Sequence, residues 1–194
     1  MSYQNKVAFI VGNGVSRQQI NLNDLVDQAP IFGCNALYRD FSLWNYLVAI
    51  DDGMIAELRK HYQNHGVLII PPEDMRYEEE EYSPMRRRAN AGMVAMREAI
   101  NRKHKILYCL GFDFILDGDI SVDNIYKNTE NYGPETHANK SDNYYRIKYL
   151  EWFANKYDDV KFVFVVPKDK EVKTVEADNV LIMDVETFID KLTH

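Results

Sequence analysis

A chain of 194 residues, 46% hydrophobic and 27% charged, has the composition of one globular domain with a sizeable core. Its 23 Lys and Arg against 30 Asp and Glu leave a formal charge of −7, which disfavours nucleic acid or an anionic membrane as the main partner. Two distant cysteines argue against a disulfide scaffold, and no apolar run reaches the ~18 residues of a membrane span or the core of a signal peptide.

In chain order, short apolar runs alternate with amphipathic stretches. Val7 to Val11, ended by Gly12, reads as a strand buried on both faces. Pro30 to Cys34, Tyr46 to Ile50, and Val67 to Ile70 before Pro71-Pro72 read as the next three. Ile106 to Leu110, closed by Gly111, is the fifth, Val160 to Val166 the sixth and strongest, and Val180 to Met183 the seventh. Between them, Asn21 or Asn23 can cap a short helix carrying Leu22, Leu25 and Val26. Asp52 precedes a helix over Met54 to Tyr62, and Gly92 one over Met93 to Arg102. Ser141 or Asp142 is positioned to cap a helix whose apolar face is Ile147, Leu150, Phe153, Ala154 and Tyr157. Val185 to Leu192 closes the chain as a last helix.

Buried strands alternating with helices predict an α/β, Rossmann-like fold. The sheet is mostly parallel, of six or seven strands, with helices on both faces. One domain spans 1–194, with long loops near 71–91 and 112–142. The first of these holds the run Glu78-Glu79-Glu80-Glu81 followed by Arg86, Arg87 and Arg88, and the second is rich in Asn, Asp and Tyr. Loops this long in a compact domain are usually functional or disordered.

In open α/β sheets ligands bind beyond the carboxyl ends of the strands. After the first strand stand Gly12, Asn13, Gly14 and Ser16: glycines for close backbone approach, Asn and Ser for hydrogen bonds. Position 17, where a dinucleotide fingerprint would have its third glycine, is Arg, and Asn35 stands where such an enzyme would carry a ribose-binding acid. Asp51-Asp52 follows the third strand, as a magnesium-binding pair or as a helix cap. Asp113, after the fifth, either orders its loop or meets ligand. Arg88 stands before Asn90-Ala91-Gly92 and a helix start, an arrangement suited to an anion. His137, among Thr, Asn and Lys, is a candidate general base or a solvated surface histidine. No His, Cys or Asp spacing resembles a metal site.

Taken together, these segments resemble the bacterial sialyltransferases that transfer sialic acid from its CMP conjugate to cell-surface oligosaccharides. That family opens on a strand and Gly-Asn-Gly-Pro-Ser, as Val11-Gly12-Asn13-Gly14-Val15-Ser16 does here. Its Arg-Cys-Asn resembles Gly33-Cys34-Asn35, and its Arg-Ile-Thr-Ser-Gly resembles Arg88-Ala89-Asn90-Ala91-Gly92. Gly111-Phe112-Asp113-Phe114 is similar to its Gly-Ile-Asp-Phe, and His137 to Asp142 to its His-Ser-Lys-Asn-Thr-Asp. Leu150-Glu151-Trp152 resembles the family's Leu-Glu-Phe in the helix that follows. The resemblance runs in unbroken order over about residues 6 to 167.

It implies a metal-independent, inverting displacement from a CMP-sugar to the hydroxyl of a glycan acceptor, with no cofactor. Gly12, Asn13, Gly14, Ser16, Asn35, Arg88, Asn90, Gly92 and Asp113 would form the nucleotide site. Tyr126 and Tyr132 would donate to the departing phosphate, and His137 would deprotonate the acceptor. Alternatives are a 6-hydroxymethylpterin diphosphokinase-like enzyme, using magnesium on Asp51, Asp52 or Asp113, and a non-catalytic nucleotide- or sugar-binding domain. The expected setting is cytoplasmic, and the sequence leaves a homo-oligomer open.

Overall fold

The structure, a computed structural model, describes residues 6–62, 68–70, 90–134 and 139–193. Seven strands form one sheet: β1 (Val7–Val11), β2 (Ile31–Cys34), β3 (Tyr46–Val48), β4 (Leu68–Ile69), β5 (Ile106–Leu110), β6 (Lys161–Val166) and β7 (Val180–Asp184). Their order is β4-β3-β2-β1-β5-β6-β7, and every pairing is parallel. The α/β reading therefore holds, with all seven expected strands in place.

The register explains why β1 reads as an unbroken apolar run. It is the middle strand, with Val11 beside Gly33 of β2 on one side and Leu110 of β5 on the other. Its side chains alternate between two cores. Ala8 and Ile10 join Phe32, Leu107 and Phe164 beneath helices α2 (Ala91–Asn101) and α3 (Lys140–Lys156). Phe9 and Val11 join Leu47, Tyr108 and Val165 on the opposite face, beneath α1 (Asp52–His61) and α4 (Val185–Thr193). The result is three layers, helix on sheet on helix.

Several boundaries differ from expectation for local reasons. The third strand stops at Val48, although Ala49 and Ile50 continue the buried run. Helix α1 starts at Asp52, so Asp52 lies in the first turn, where its charge suits the helix dipole, and the capping position is Asp51. Helix α3 is capped by Asn139, neither Ser141 nor Asp142; Asn139 accepts from the Asp142 amide while Asp142 accepts from the Asn139 amide. The sequence reading found one half of this reciprocal pair and missed the other. The link from β1 to β2 has no α-helix, only 3-10 turns at Val15–Gln19 and Leu22–Leu25, the second capped by the Asn21 side chain.

Of the two long segments, residues 71–89 lie outside the described residues. Most of 112–134 is built from turns and two short 3-10 helices, Asp113–Ile115 and Asp119–Val122. Among the described residues no helix is long and apolar enough to cross a membrane.

Candidate functional site

The strand order reverses at β1. The chain steps one way through β2, β3 and β4, then returns to place β5 on the other side of β1. The carboxyl ends of β1, β2 and β5 thus form the switch point at which a doubly wound sheet opens its crevice. Gly12 to Ser16, Asn35 and Asp113 all stand there, and α2 begins nearby.

The two loops flanking the crevice are locked together. Gly12 N–H donates to the Leu110 carbonyl at 2.8 Å, and Gly14 N–H to the Gly111 carbonyl at 2.8 Å. Ser16 N–H donates to Asp113 Oδ2 at 2.9 Å, and the Ser16 hydroxyl donates to Oδ1. Burial pushes the Asp113 carboxyl up, and the bonds from Ser16 and the Val15 amide pull against that shift. Asp113, buried and taking donors on both oxygens, therefore orders the loop, one of the two roles open to it. The glycines serve the same contact. A Cβ on Gly12 would meet the Gly111 oxygen at 2.7 Å, and one on Gly14 would meet that oxygen at 2.6 Å and the Asp113 carboxyl carbon at 2.5 Å. Loop packed against loop is what requires them.

The asparagines are different. Asn13, 8% exposed, donates from Nδ2 to the Cys34 carbonyl at 3.3 Å, and among the described residues its buried Oδ1 has no hydrogen-bond partner. Asn35 opens the 3-10 helix Asn35–Arg39 at φ 51°, a left-handed conformation that Asn tolerates, and its Oδ1 is likewise buried and unbonded. The Tyr132 hydroxyl is buried beside Asn35 and the Ala36 amide, without a hydrogen bond of ordinary geometry, and burial pushes its pKa up. Among the described residues, three buried polar atoms without a well-formed hydrogen bond are thus gathered where β1 and β2 end side by side. Cys34 between them is an inert core residue, its thiol pushed up to about 12 by burial.

Tyr126 is held over this end of the sheet by its neighbour, since Ile125 N–H donates to the Asn13 carbonyl at 2.9 Å. Its buried hydroxyl donates to Asp40 Oδ1 and accepts from Arg17 Nη2 at 3.1 Å. Burial, and next the Asp40 bond, push the phenol well above its ordinary value, so it stays a neutral donor. Asn90 and Gly92 shape the start of α2: the Asn90 side-chain oxygen accepts from Met93 N–H at 2.9 Å, and a Cβ on Gly92 would strike Phe112 at 2.4 Å. Both residues thus build the start of α2, with the Asn90 oxygen already used as the helix cap. Arg88 and His137 lie outside the described residues. Asp51 and Asp52 sit at the start of α1, and among the described residues no three His, Cys, Asp or Glu side chains gather as a metal-binding group.

Sequence reasoning missed a second network that fixes the segment 123–134. The buried carboxylate of Glu57 on α1 accepts from Arg39 Nε at 2.9 Å and Nη2 at 2.6 and 2.7 Å, from Asn131 Nδ2 at 2.6 Å, and from the Tyr38 hydroxyl. Burial raises its pKa, but the Tyr38, Arg39 and Asn131 bonds outweigh that and hold the carboxyl below its ordinary value. Arg39 reaches on to Thr129 Oγ1 at 2.8 Å and the Glu130 carbonyl at 3.0 Å, and lies over the rings of Tyr126 and Tyr132 at 5.7 and 5.8 Å. A signal for Glu57 was present. It shares a helical face with Met54 and Leu58, so its charge had to be buried and paired.

No protein-family model matches the chain. No curated protein matches it either. Among solved structures it is similar to the monofunctional alpha-2,3-sialyltransferase Cst-I from Campylobacter jejuni, at 16% identity and a TM-score of 0.52, over 100% of this chain and 95% of that one. It is also similar to the sialyltransferase CstII from Campylobacter jejuni in complex with cytidine-5'-monophosphate, at 17% identity, TM-score 0.49, over 95% and 96% of the two chains. A third is an alpha-2,3-sialyltransferase from Campylobacter jejuni in apo form, at 15% identity, TM-score 0.48, over 100% and 96%. What this chain has in common with Cst-I, along its whole length, is the α/β fold.

Proposed function

We propose that this protein binds a CMP-sugar at the carboxyl ends of β1, β2 and β5 and transfers the sugar to a hydroxyl acceptor by inverting displacement. The observation that carries the reading is the pair of buried, unbonded amide oxygens on Asn13 and Asn35 at the switch point. Buried acceptors without partners are costly, and a ligand that brings hydroxyl or amino donors relieves them. A nucleoside, with ribose hydroxyls and an exocyclic amine, is such a ligand. The shared fold with Cst-I and the ordered motifs of the sequence support the sialyltransferase-like form of this reading.

In this reading Asn13 and Asn35 hold the nucleoside. Asp113, Ser16, Gly12, Gly14, Asn90 and Gly92 build the frame around it. Tyr132 and Tyr126 face the leaving phosphate as neutral donors, so departure of the phosphate needs no metal. His137 takes the acceptor proton, and Arg88 serves the phosphate. Two buried free thiols accord with a reducing, cytoplasmic setting.

The test is thermal shift with CMP, CTP and ATP, each with and without magnesium. CMP is expected to raise the melting temperature regardless of magnesium, with Asn35→Ala removing most of the shift. A shift by ATP only with magnesium would overturn the reading in favour of a diphosphokinase-like activity. Binding of a CMP-sugar with neither hydrolysis nor transfer, unchanged by His137→Ala, would leave a binding domain.

A further inference from the structure

Arg17 is a buried cation with an under-used guanidinium. Its side chain is 3% exposed, yet among the described residues its partners, Asp40 Oδ2 at 3.2 Å and the Tyr126 hydroxyl at 3.1 Å, are both reached from Nη2. Its Nε is buried and has no hydrogen bond among the described residues. A planar guanidinium offers five donors in a fork suited to an oxyanion, and leaving one buried without a partner is costly. The Tyr126 hydroxyl points its proton at the same carboxylate.

The three members of this cluster are unequally fixed. Arg17 and Tyr126 are buried, Arg17 in the 3-10 turn directly after the Gly12-Asn13-Gly14 loop and Tyr126 beside the residue bonded to the Asn13 carbonyl. Asp40 is different. Its side chain is 48% exposed, and it stands at the end of the 3-10 helix Asn35–Arg39, from where it can swing into water by side-chain rotation. Two fixed donors and one exchangeable anion describe a seat for an oxyanion in which the carboxylate is the replaceable part.

We propose that Asp40 occupies an anion seat formed by Arg17 and Tyr126, and that the phosphate of the bound nucleotide takes this seat by displacing the Asp40 carboxylate. This rests on the nucleotide reading of the same site, and it adds two residues: Arg17 as a phosphate-binding cation and Asp40 as its internal competitor. The exchange also resolves the commitment of Tyr126. With Asp40 in place its proton is given to a carboxylate; with Asp40 released the same proton serves a phosphate oxygen. A phosphate with three oxygens can reach both Nη2 and Nε of Arg17, which the carboxylate does not. The two anions cannot share the seat, because like charges at contact repel.

Asp40→Ala and Asp40→Asn are compared with wild type by calorimetric titration with CMP and cytidine, and by thermal shift with inorganic phosphate. Removing the competitor is expected to tighten CMP binding about tenfold, with Asp40→Asn between, and to leave cytidine unchanged, since cytidine lacks the phosphate. Inorganic phosphate is expected to stabilise Asp40→Ala more than wild type. Adding Tyr126→Phe to Asp40→Asn is expected to remove the gain. Circular dichroism establishes that each variant is folded, and Asp40→Asn carries the comparison if the alanine variant is not. Equal or weaker CMP binding by the Asp40 variants, with cytidine binding intact, overturns the anion seat while the nucleotide reading stands. A phosphate response confined to the Asp40 variants, with no binding of CMP or cytidine by any form, overturns the nucleotide reading while the anion seat stands. No phosphate response in any form overturns the seat.

Discussion

At the scale of single residues, the crevice is built by close approach. Gly14 sits against both the Gly111 carbonyl and the Asp113 carboxyl, with no space for a methyl group. The neighbours are backbone and a carboxylate tied by two bonds to Ser16, so neither yields easily. Gly14→Ala is expected to cost about 3 kcal/mol, the range of overpacking and lost buried bonds, read as a lowered midpoint in urea unfolding. Ser16→Ala is the contrasting case, since it removes one donor to Asp113 and leaves the backbone contact in place. The same residues show how far the sequence could be read. Gly-Asn-Gly marks a tight strand-end loop, but nothing in it reveals that the loop's partner is Gly111, ninety-seven residues beyond Gly14 (111 − 14). Asn90 was legible as part of a helix start, because Asn in that place has a local job, and its bond to the Met93 amide is that job.

At the scale of elements, Glu57 is the point from which α1 holds the segment 123–134. Its carboxylate gathers donors from the 3-10 helix after β2 and from Asn131, and Arg39 continues the chain of bonds to Thr129 and Glu130. Glu57→Gln keeps the shape, removes the charge and leaves the half-buried Arg39 against a neutral partner. The expected loss is about 2 kcal/mol. Hydrogen exchange is expected to quicken most at the amides of Asn128 and Tyr132, which bond within the held segment, while those of β1 and β5 change only with global stability. Uniform quickening across the sheet would mean that Glu57 contributes to the core rather than to the segment. Strands were easier to read than this network. A strand announces itself by consecutive apolar residues, whereas the Arg39–Glu57 pair joins two elements whose proximity only the sheet order decides. The helix α3 start shows the intermediate case: Asp142 was visible as a capping residue, but Asn139 looked like one polar residue among several.

For the molecule as a whole, pH acts through His104, at the amino end of β5 on the far side of the sheet from the crevice. It is buried, edge-on to Phe32 at 5.7 Å, and its Nδ1 has no hydrogen bond among the described residues. Burial and, less strongly, the charge of Arg102 push its pKa below the ordinary 6.5, against a hydrogen bond to the Val7 backbone. The folded state therefore favours neutral imidazole. In the unfolded chain His104 takes a proton as pH falls through about 6.5, and the folded protein resists doing so, so stability declines below that value and is unaffected by this group above it. The melting temperature of wild type is expected to fall between pH 7 and pH 5.5 more steeply than that of His104→Phe, with both measured in one ionic strength. Parallel slopes would assign the acid sensitivity elsewhere.

The central place of β1 has a consequence for how the protein comes to exist. β1 needs partners on both sides, and the second of them, β5, follows β2, β3 and β4 in the chain and begins only at Ile106. During synthesis β1 therefore waits with an open, apolar edge until β5 has emerged. Helix α2, which covers its inner face, arrives only just before. Parallel pairings this distant in sequence close late, and an uncovered strand edge invites pairing with other chains meanwhile. The crevice, assembled from both sides of β1, is thus among the last parts to form, and a nascent chain lacking β5 has half a sheet but no site.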